Sequence, residues 1–336
     1  MGDWFCDLFG FDETSPEVVH ENLVLSGGRL QSKINQKSYG VGLLTTPSLG
    51  ELKGQLKALS SDLSGQLKVS IEVGDVGQTH CLPENKNALF QVASQFNLLE
   101  MVGPNISPQM GVTGYQNDHT QGPVCAMAAG AGTVYRNYFT SLTGGAGQTS
   151  GEQIDCLEHI GAELGNQQSS LWYMKNGYAL CSSRGLEQIN NILEGSDSRR
   201  IDEIRNKLHI GLHSTVQVTH SDAPPEQWVS QAYCSALPVS YSDPPANMFG
   251  QFATLVLEGA YEATLTAGVV NAAKNGSNKI YLTQLGGGAF GNSSQWIHSA
   301  MLRAFKLFSN FDLDVRIVSY SGPSKELVDL VEEYLE

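Results

Sequence analysis

The chain has 336 residues, 41% of them hydrophobic and 16% charged, and a formal net charge of −14. This balance is typical of a folded globular protein, and no apolar run approaches the roughly 20 residues that a membrane-spanning helix needs. We therefore expect no membrane partner. Binding to nucleic acid requires clustered lysines and arginines, so the acidic composition argues against that partner too. Backbone N–H groups could still hold one nucleotide-like ligand.

The six cysteines are widely spaced along the chain and form no close pair. That distribution argues against a disulfide framework and against a cysteine zinc site. The first residues also lack the basic and apolar segments of a secretory signal. We therefore expect a cytoplasmic or nuclear protein with no cofactor and no metal.

Hydrophobic periodicity and turn residues predict strands and helices in the first half of the chain. The first 20 residues are aromatic and acidic and carry no predicted element. The predicted strands are Asn22–Leu30, Tyr39–Thr45, Val69–Val73 and Ala88–Ala93, and the predicted helices are Pro47–Leu59 and Ala126–Phe139. The irregular segment Pro104–Pro123 is long enough to be functional or disordered.

The second half alternates more regularly, as expected for an α/β fold. Asn176-Gly177 predicts a hairpin within Trp172–Leu180. The predicted helices are Leu186–Leu193, Arg200–Leu208, about Ala246 to Ala273, Gln295–Phe308 and Ser324–Tyr334, and the predicted strands are Val216–Thr219, Val229–Tyr241, Lys279–Leu285 and Val315–Ser319. The Gly-rich segment Thr143–Gly151 has no Lys followed by Ser or Thr and is not a Walker loop.

A glycine-rich turn, Gly286–Gly291, lies between a predicted strand and a predicted helix. Glycines there let backbone N–H groups approach a phosphate. Gly286, Gly288 and Gly291 also match the spacing of a dinucleotide-binding motif. That motif opens its domain and is followed by a strand ending in Asp or Glu, whereas here the next strand ends in Ser319-Tyr320-Ser321 and little chain follows. A turn needed only for close packing of strand and helix is the remaining alternative.

The run from Tyr281 to Asn292, YLTQLGGGAFGN, with Trp296-Ile297 in the following helix, resembles the second ligand loop of macrodomains. In that family this loop wraps the diphosphate and distal ribose of ADP-ribose, and its aromatic side chain packs near that ribose. The resemblance implies ligand contacts from Gly286, Gly287, Gly288, Ala289, Phe290, Gly291 and Asn292.

Three earlier segments resemble the same family in the same order. Ala93-Ser94-Gln95-Phe96-Asn97 is similar to the strand end Asn-Ala-Ala-Asn. The segment 120–126 is similar to the end of the first glycine loop, which implies contacts from Thr120, Gly122 and Pro123. Gly74-Asp75-Val76 resembles Gly-Asp-Ile, whose acid recognises the adenine, so Asp75 is the implied adenine contact, with a plain turn as the alternative.

Together these segments most resemble a divergent branch related to poly(ADP-ribose) glycohydrolases. That branch includes bacterial effectors that remove ADP-ribose from arginine on ubiquitin. The paired glutamates of the glycohydrolase signature are absent, so cleavage of the polymer is not expected. The resemblance implies a three-layer α/β/α macrodomain with a mixed sheet at residues 65–336, a helical insertion at about 140–210, and an extension of residues 1–64 packed on the core.

Cleavage of an N-glycosidic bond passes through an oxocarbenium-like transition state that a nearby carboxylate stabilises. Asp118 immediately precedes the first phosphate loop and is the leading candidate, with a local turn as the alternative. Glu100 is a second acid, unless it is merely solvated. Asn97 and Gln121 are uncharged donors and acceptors suited to ribose hydroxyls or water.

Our first hypothesis is a monomeric hydrolase that removes ADP-ribose from modified protein side chains. Arginine is the expected linkage and ubiquitin a candidate carrier. The alternative is a non-catalytic reader that binds ADP-ribose through the same loops, and a third is a hydrolase of small ADP-ribose derivatives. No G-x-S-x-G elbow supports a serine hydrolase.

Overall fold

The computed structural model describes residues 3–59 and 63–336. The helices are α1 Trp4–Phe9, α2 Pro16–Asn22, α3 Leu49–Lys57, α4 Val76–Cys81, α5 Gln121–Ala128, α6 Gly130–Tyr138, α7 Glu158–Leu164, α8 Ser183–Glu194, α9 Ser198–Arg205, α10 Gly250–Asn275, α11 Ser294–Leu307 and α12 Lys325–Leu335. The strands are β1 Leu23–Ser26, β2 Arg29–Ser32, β3 Ser38–Gly40, β4 Leu43–Thr45, β5 Lys68–Val73, β6 Leu89–Ala93, β7 Trp172–Lys175, β8 Tyr178–Cys181, β9 Gly211–Gln217, β10 Trp228–Cys234, β11 Lys279–Leu282 and β12 Asp314–Ser319. No helix within the described ranges is both long enough and apolar enough to cross a membrane.

A seven-stranded sheet in the order β4-β9-β10-β6-β11-β12-β5 organises the chain. Only β9 among the described strands of this sheet runs antiparallel to its neighbours, and the remaining pairs are parallel. The carboxyl ends of β6, β10, β11 and β12 therefore meet at one edge, which is where α/β proteins bind ligands. The prediction of an α/β chain with a mixed sheet is confirmed.

Helices cover both faces of this sheet. On one face α10 packs on the central strands, where Gln91 Nε2 donates to Thr264 Oγ1 at 2.8 Å. On the other face α4 and α5 pack against β6. There the His80 ring stacks on Phe90 with centroids 3.7 Å apart, and Phe90 stacks on Tyr281 at 4.5 Å. The arrangement is the expected three layers.

The first part of the chain contributes to two cores. α1, α2 and the small sheet β1-β2-β3 pack with residues of α5 and α6 in a second apolar cluster around Phe5 and Phe9. β4 instead pairs with β9, and α3 packs on α10. Between α6 and β9 the chain forms α7, the hairpin β7-β8, α8 and α9. The division into residues 1–64 and 65–336 stays a prediction.

Several short helices were not predicted because their apolar periodicity covers too few residues. Their caps are nevertheless standard. Asp3 accepts from the N–H of Cys6 at the start of α1, and Ser15 accepts from Val18 N ahead of Pro16 in α2. α4 and α7 were missed for the same reason.

Two boundaries differ because tertiary contacts decide them. The predicted helix Ala126–Phe139 is in fact α5 and α6, which are broken at Ala129 (φ −116°, ψ 53°). The break frees the carbonyl of Ala128 to accept from Thr219 N at 2.8 Å. β10 ends at Cys234 and does not continue to Tyr241.

Replacing Phe90 by alanine is expected to lower the free energy of unfolding by about 3–5 kcal/mol, because the ring is fully buried between two stacked rings. Urea unfolding measures this. Leu43→Ala is the control, since Leu43 on the edge strand is 66% exposed and should change stability by less than about 0.5 kcal/mol. Equal losses in the two variants would contradict the assignment of β6 to the centre of the core.

Candidate functional site

A cavity of about 410 Å³ opens at the carboxyl edge of the sheet. Ala93, Cys234, Thr283 and Tyr320, at or just beyond the ends of β6, β10, β11 and β12, all line it. The cavity also brings together these predicted site residues: Glu100, Asp118, Thr120, Gln121, Gly122, Pro123, Gly286, Gly288, Ala289 and Phe290. No lysine or arginine of the described ranges lines it.

The glycine-rich loop after β11 closes on itself. Asn292 N and Nδ2 both donate to the carbonyl of Gly286, at 2.9 and 3.4 Å, and Nδ2 also donates to Leu237 O at 2.8 Å. Gly286 and Gly291 both have positive φ, of 72° and 74°. At Gly291 a Cβ atom would lie 2.1 Å from Ser240 Oγ, so the loop path requires glycine there.

The tip of this loop presents unused hydrogen-bond donors. In the described part of the chain, the N–H groups of Gly288, Ala289 and Phe290 donate to no protein acceptor. A Cβ atom on Gly288 would have no neighbour within 4 Å, so the backbone there is open. Consecutive free N–H groups of this kind form a concave site for an anion.

The start of α5 supplies a second set of donors. Its first N–H groups, on Gln121 and Gly122, make no hydrogen bond within the described ranges, and Thr120 does not cap them with its side chain. These groups carry the positive end of the helix dipole, which favours an anion. Both donor sets border the same cavity.

The position of α5 is set by its contact with β6. Gln121 Oε1 accepts from Ala93 N at 2.9 Å, and its Nε2 donates to Gln91 O at 2.7 Å. At Gly122 a Cβ atom would lie 2.0 Å from Ala93 O. The side-chain amide of Gln121 is thus used to hold the helix against the strand.

Asp118 lies at the end of the 3-10 helix Thr113–Asn117, where its N–H donates to Tyr115 O at 3.0 Å. Its Oδ1 accepts from Thr120 N at 2.9 Å. The side chain is half-buried and lines the cavity. It therefore forms a local turn and also presents a carboxylate to the site.

Glu100 is the buried acid of the cavity, with only 3% of the residue exposed. Burial raises the pKa of its carboxyl to about 7, and the Arg136 guanidinium and Tyr115 hydroxyl limit the rise. Arg136 Nη2 lies 3.4 Å from Oε2, whereas Oε1 has no hydrogen-bond partner among the described residues. Such a group can exchange a proton near neutral pH.

The turn at Leu98, which directly precedes the segment that carries Glu100 into the cavity, has a strained backbone. Leu98 is buried and has φ +65°, in the region that favours glycine. Arg136 Nε donates to the Leu98 carbonyl at 3.0 Å. The Gln95 side chain accepts from Met101 N at 2.8 Å and donates to Met101 O at 3.2 Å. The surrounding structure holds the turn in a conformation it would not adopt alone.

The structure places five predicted site residues outside the cavity lining: Asn97, Asp75, Gly287, Gly291 and Asn292. Asn97 is buried, and its Nδ2 donates to Gln153 Oε1 at 2.8 Å. Asp75 is exposed and caps α4 by accepting from Gly77 N at 2.7 Å. Gly287 N donates to Gln284 O at 3.1 Å. Their contacts with a ligand stay predictions.

Sequence reasoning missed the aromatic wall of the cavity. Tyr178 and Tyr241 pack against Phe290 with ring centroids 5.3 and 5.7 Å away. Tyr178 donates its hydroxyl to Met101 O at 2.7 Å. These tyrosines lie in separate segments with no shared motif, whereas the exposed Tyr320 could have been found from its place directly after a strand.

Cys234 lines the cavity, and Cys125 lies in α5. Burial raises the pKa of the Cys234 thiol to about 12 and that of Cys125 well above its usual range, so neither is a ready nucleophile. No group of three or more metal-ligating side chains occurs in the part of the chain that the structure describes.

No family model and no curated protein matches the chain. Among solved structures it is similar to poly(ADP-ribose) glycohydrolase from Deinococcus radiodurans in complex with ADP-ribose (12% identity over 87% of this chain and 92% of that chain, TM-score 0.43). It is also similar to poly(ADP-ribose) glycohydrolase from Thermomonospora curvata (13% identity over 95% of this chain and 97% of that chain, TM-score 0.40). A third similar structure is a macrodomain from Oceanobacillus iheyensis (11% identity over 87% of this chain and 96% of that chain, TM-score 0.34).

These structures belong to the two groups that the sequence resembles.

Gly122→Ala is expected to destabilise the protein by about 1–3 kcal/mol, since the added methyl group collides with the Ala93 carbonyl and must displace α5. Thermal unfolding measures the loss. Gly288→Ala is the matched control, because a methyl group there meets nothing within 4 Å. Indistinguishable stabilities would mean that α5 does not require this close approach.

Glu100→Gln should change how stability depends on pH. The folded state raises the pKa of this carboxyl from 4.5 to about 7, so it binds the proton more tightly than the unfolded chain does. The free energy of unfolding of the wild type therefore decreases as pH rises from about 4.5 to 7. Glutamine does not titrate, so this decrease is absent from the variant. The variant's stability relative to wild type should rise across this window by on the order of 3 kcal/mol. Urea unfolding at several pH values would refute this if the difference stayed constant.

Proposed function

We propose that the chain binds ADP-ribose in this cavity and hydrolyses the bond that joins it to a modified protein side chain. Two sets of free backbone N–H groups, at Gly288–Phe290 and at the start of α5, border the cavity. Two such sets can hold the two phosphates of a diphosphate, and neither requires a lysine or arginine. An acidic chain can therefore accept this ligand.

The size and lining of the cavity also suit a nucleotide-like molecule. Its volume of about 410 Å³ lies in the range of small-molecule sites. Tyr178, Tyr241 and Phe290 give it an aromatic wall on which the uncharged parts of the ligand can pack. Polar side chains, among them Glu100, Asp118 and Gln284, line the cavity beside this wall and can fix the orientation of a ligand.

The observation that carries the hydrolase proposal is the presence of two carboxyl groups, Asp118 and Glu100, in one cavity. Hydrolysis at the anomeric carbon develops positive charge on the ribose ring, which a carboxylate stabilises while it orients the attacking water. We assign that role to the half-buried Asp118. Glu100, whose pKa burial raises to about 7, is suited to exchange a proton with water or the leaving group.

A more specific proposal concerns the side chain to which the ADP-ribose is attached. We propose arginine as the modified side chain and ubiquitin as a candidate carrier, on the sequence resemblance alone. A net charge of −14 supports association with a basic partner surface. The six free cysteines support action in the cytoplasm or nucleus, and we propose that the protein acts as a monomer.

The decisive measurement is release of ADP-ribose from proteins modified on arginine, on acidic residues or on serine. We expect wild type to release it from arginine. Asp118→Asn should reduce kcat by at least about a hundredfold while calorimetry still detects ADP-ribose binding, because the variant retains both sets of N–H donors. Circular dichroism checks that the variant is folded.

Tight ADP-ribose binding without release from any of the three linkages would refute the hydrolase and identify a non-catalytic reader. Release from serine or acidic residues but not from arginine would keep the hydrolase and overturn the linkage. Absence of binding would overturn both.

A further inference from the structure

The N-terminal segment, residues 3–22, reaches the loop that carries Asp118. The Glu13 carboxylate accepts the N–H of Val112 at 2.9 and 2.8 Å and that of Thr113 at 2.6 Å. Tyr138 of α6 donates its hydroxyl to the same carboxylate at 2.8 Å. One carboxylate thus receives three donors from two separate parts of the chain.

The two backbone donors, on Val112 and Thr113, lie at the start of the 3-10 helix Thr113–Asn117, which has no side-chain cap of its own. Glu13 supplies that cap from about a hundred residues away in sequence. The approach requires Gly111, whose φ is +86° and whose Cβ atom would lie 2.5 Å from Glu13 Oε2. Trp4 adds a second anchor by donating its Nε1 to Thr113 O at 3.2 Å.

The 3-10 helix Thr113–Asn117 is connected to both acids of the cavity. Asp118 follows its last residue directly. Tyr115, within it, accepts from the N–H of Glu100 at 3.0 Å. A displacement of this helix would therefore move the Asp118 carboxylate and release the backbone contact of Glu100 together.

We infer that Glu13 is a positioning residue that orders the 3-10 helix and thereby sets the two acids relative to each other. Its catalytic consequence rests on the proposed function. The glycine-rich loop, by contrast, makes no contact with Glu13 among the described hydrogen bonds and should not depend on it. The inference therefore predicts an effect on turnover with ligand affinity retained.

The test compares Glu13→Gln and Glu13→Ala with wild type, using hydrogen exchange by mass spectrometry and turnover in the full chain. We expect amide exchange in peptides covering 111–118 to accelerate by about tenfold or more, since a charged acceptor of two N–H groups is lost or weakened. Exchange in 285–292 and the Kd for ADP-ribose should not change. Turnover should fall by about tenfold to a hundredfold through misplacement of the acids, with the larger fall in Glu13→Ala.

Glu17→Gln is the matched control, because Glu17 is an exposed carboxylate of the same N-terminal segment and makes none of these contacts. It should behave as wild type. Unchanged exchange in 111–118 would overturn the inference, as would a parallel loss of turnover, affinity and thermal stability, which indicates general unfolding. If wild type shows no turnover, the proposed hydrolase fails, while the exchange data still decide whether Glu13 orders the loop.

Discussion

The cavity depends on the contact between the start of α5 and the end of β6. Gln121 satisfies the last backbone groups of β6 with its side-chain amide, and Gly122 allows the helix to approach the Ala93 carbonyl. Thr120, at the N-cap of α5, makes no side-chain hydrogen bond to the first turn, and β6 engages the side-chain amide of Gln121. The N–H groups of Gln121 and Gly122 therefore stay free for an anion, and they border the same cavity as the glycine-rich loop.

A second constraint is the burial of charge beside the cavity. Arg136 is fully buried and is stabilised by the Leu98 carbonyl, by Thr133 Oγ1 at 3.3 Å and by the Tyr233 ring, whose centroid lies 3.8 Å from the guanidinium carbon. These partners supplement the carboxylate of Glu100, whose Oε2 lies 3.4 Å from Arg136 Nη2. Arg136 also links the strained turn at Leu98 to the acid that follows it, since one guanidinium contacts both. Burial of a guanidinium is costly unless its donors are paired, and the Leu98 carbonyl and Thr133 Oγ1 pair part of them.

Much of the fold could be predicted from periodicity, because most strands and long helices carry a clear apolar pattern. The hairpin at Asn176-Gly177 and the closing α11 and α12 were found close to their observed bounds. The break at Ala129 and the end of β10 at Cys234 could not be found, since hydrogen bonds to distant segments decide them. The short α1, α2, α4 and α7 bury too few apolar residues to give a periodic signal in the sequence. Some of their N-cap residues, such as Asp3 and Ser15, are nevertheless of types that favour the start of a helix.

The sequence by itself determined where the backbone could approach an anion, because glycines between a strand and a helix leave the backbone N–H groups uncovered by side chains. It also indicated Asp118 and Glu100 as acids near the ligand loops. Only the tertiary structure decided their environments. Arg136 of α6 and Tyr115 of the 3-10 helix, both far from Glu100 in sequence, close around that carboxyl, and the protonation of a carboxyl depends on such neighbours as well as on its residue type.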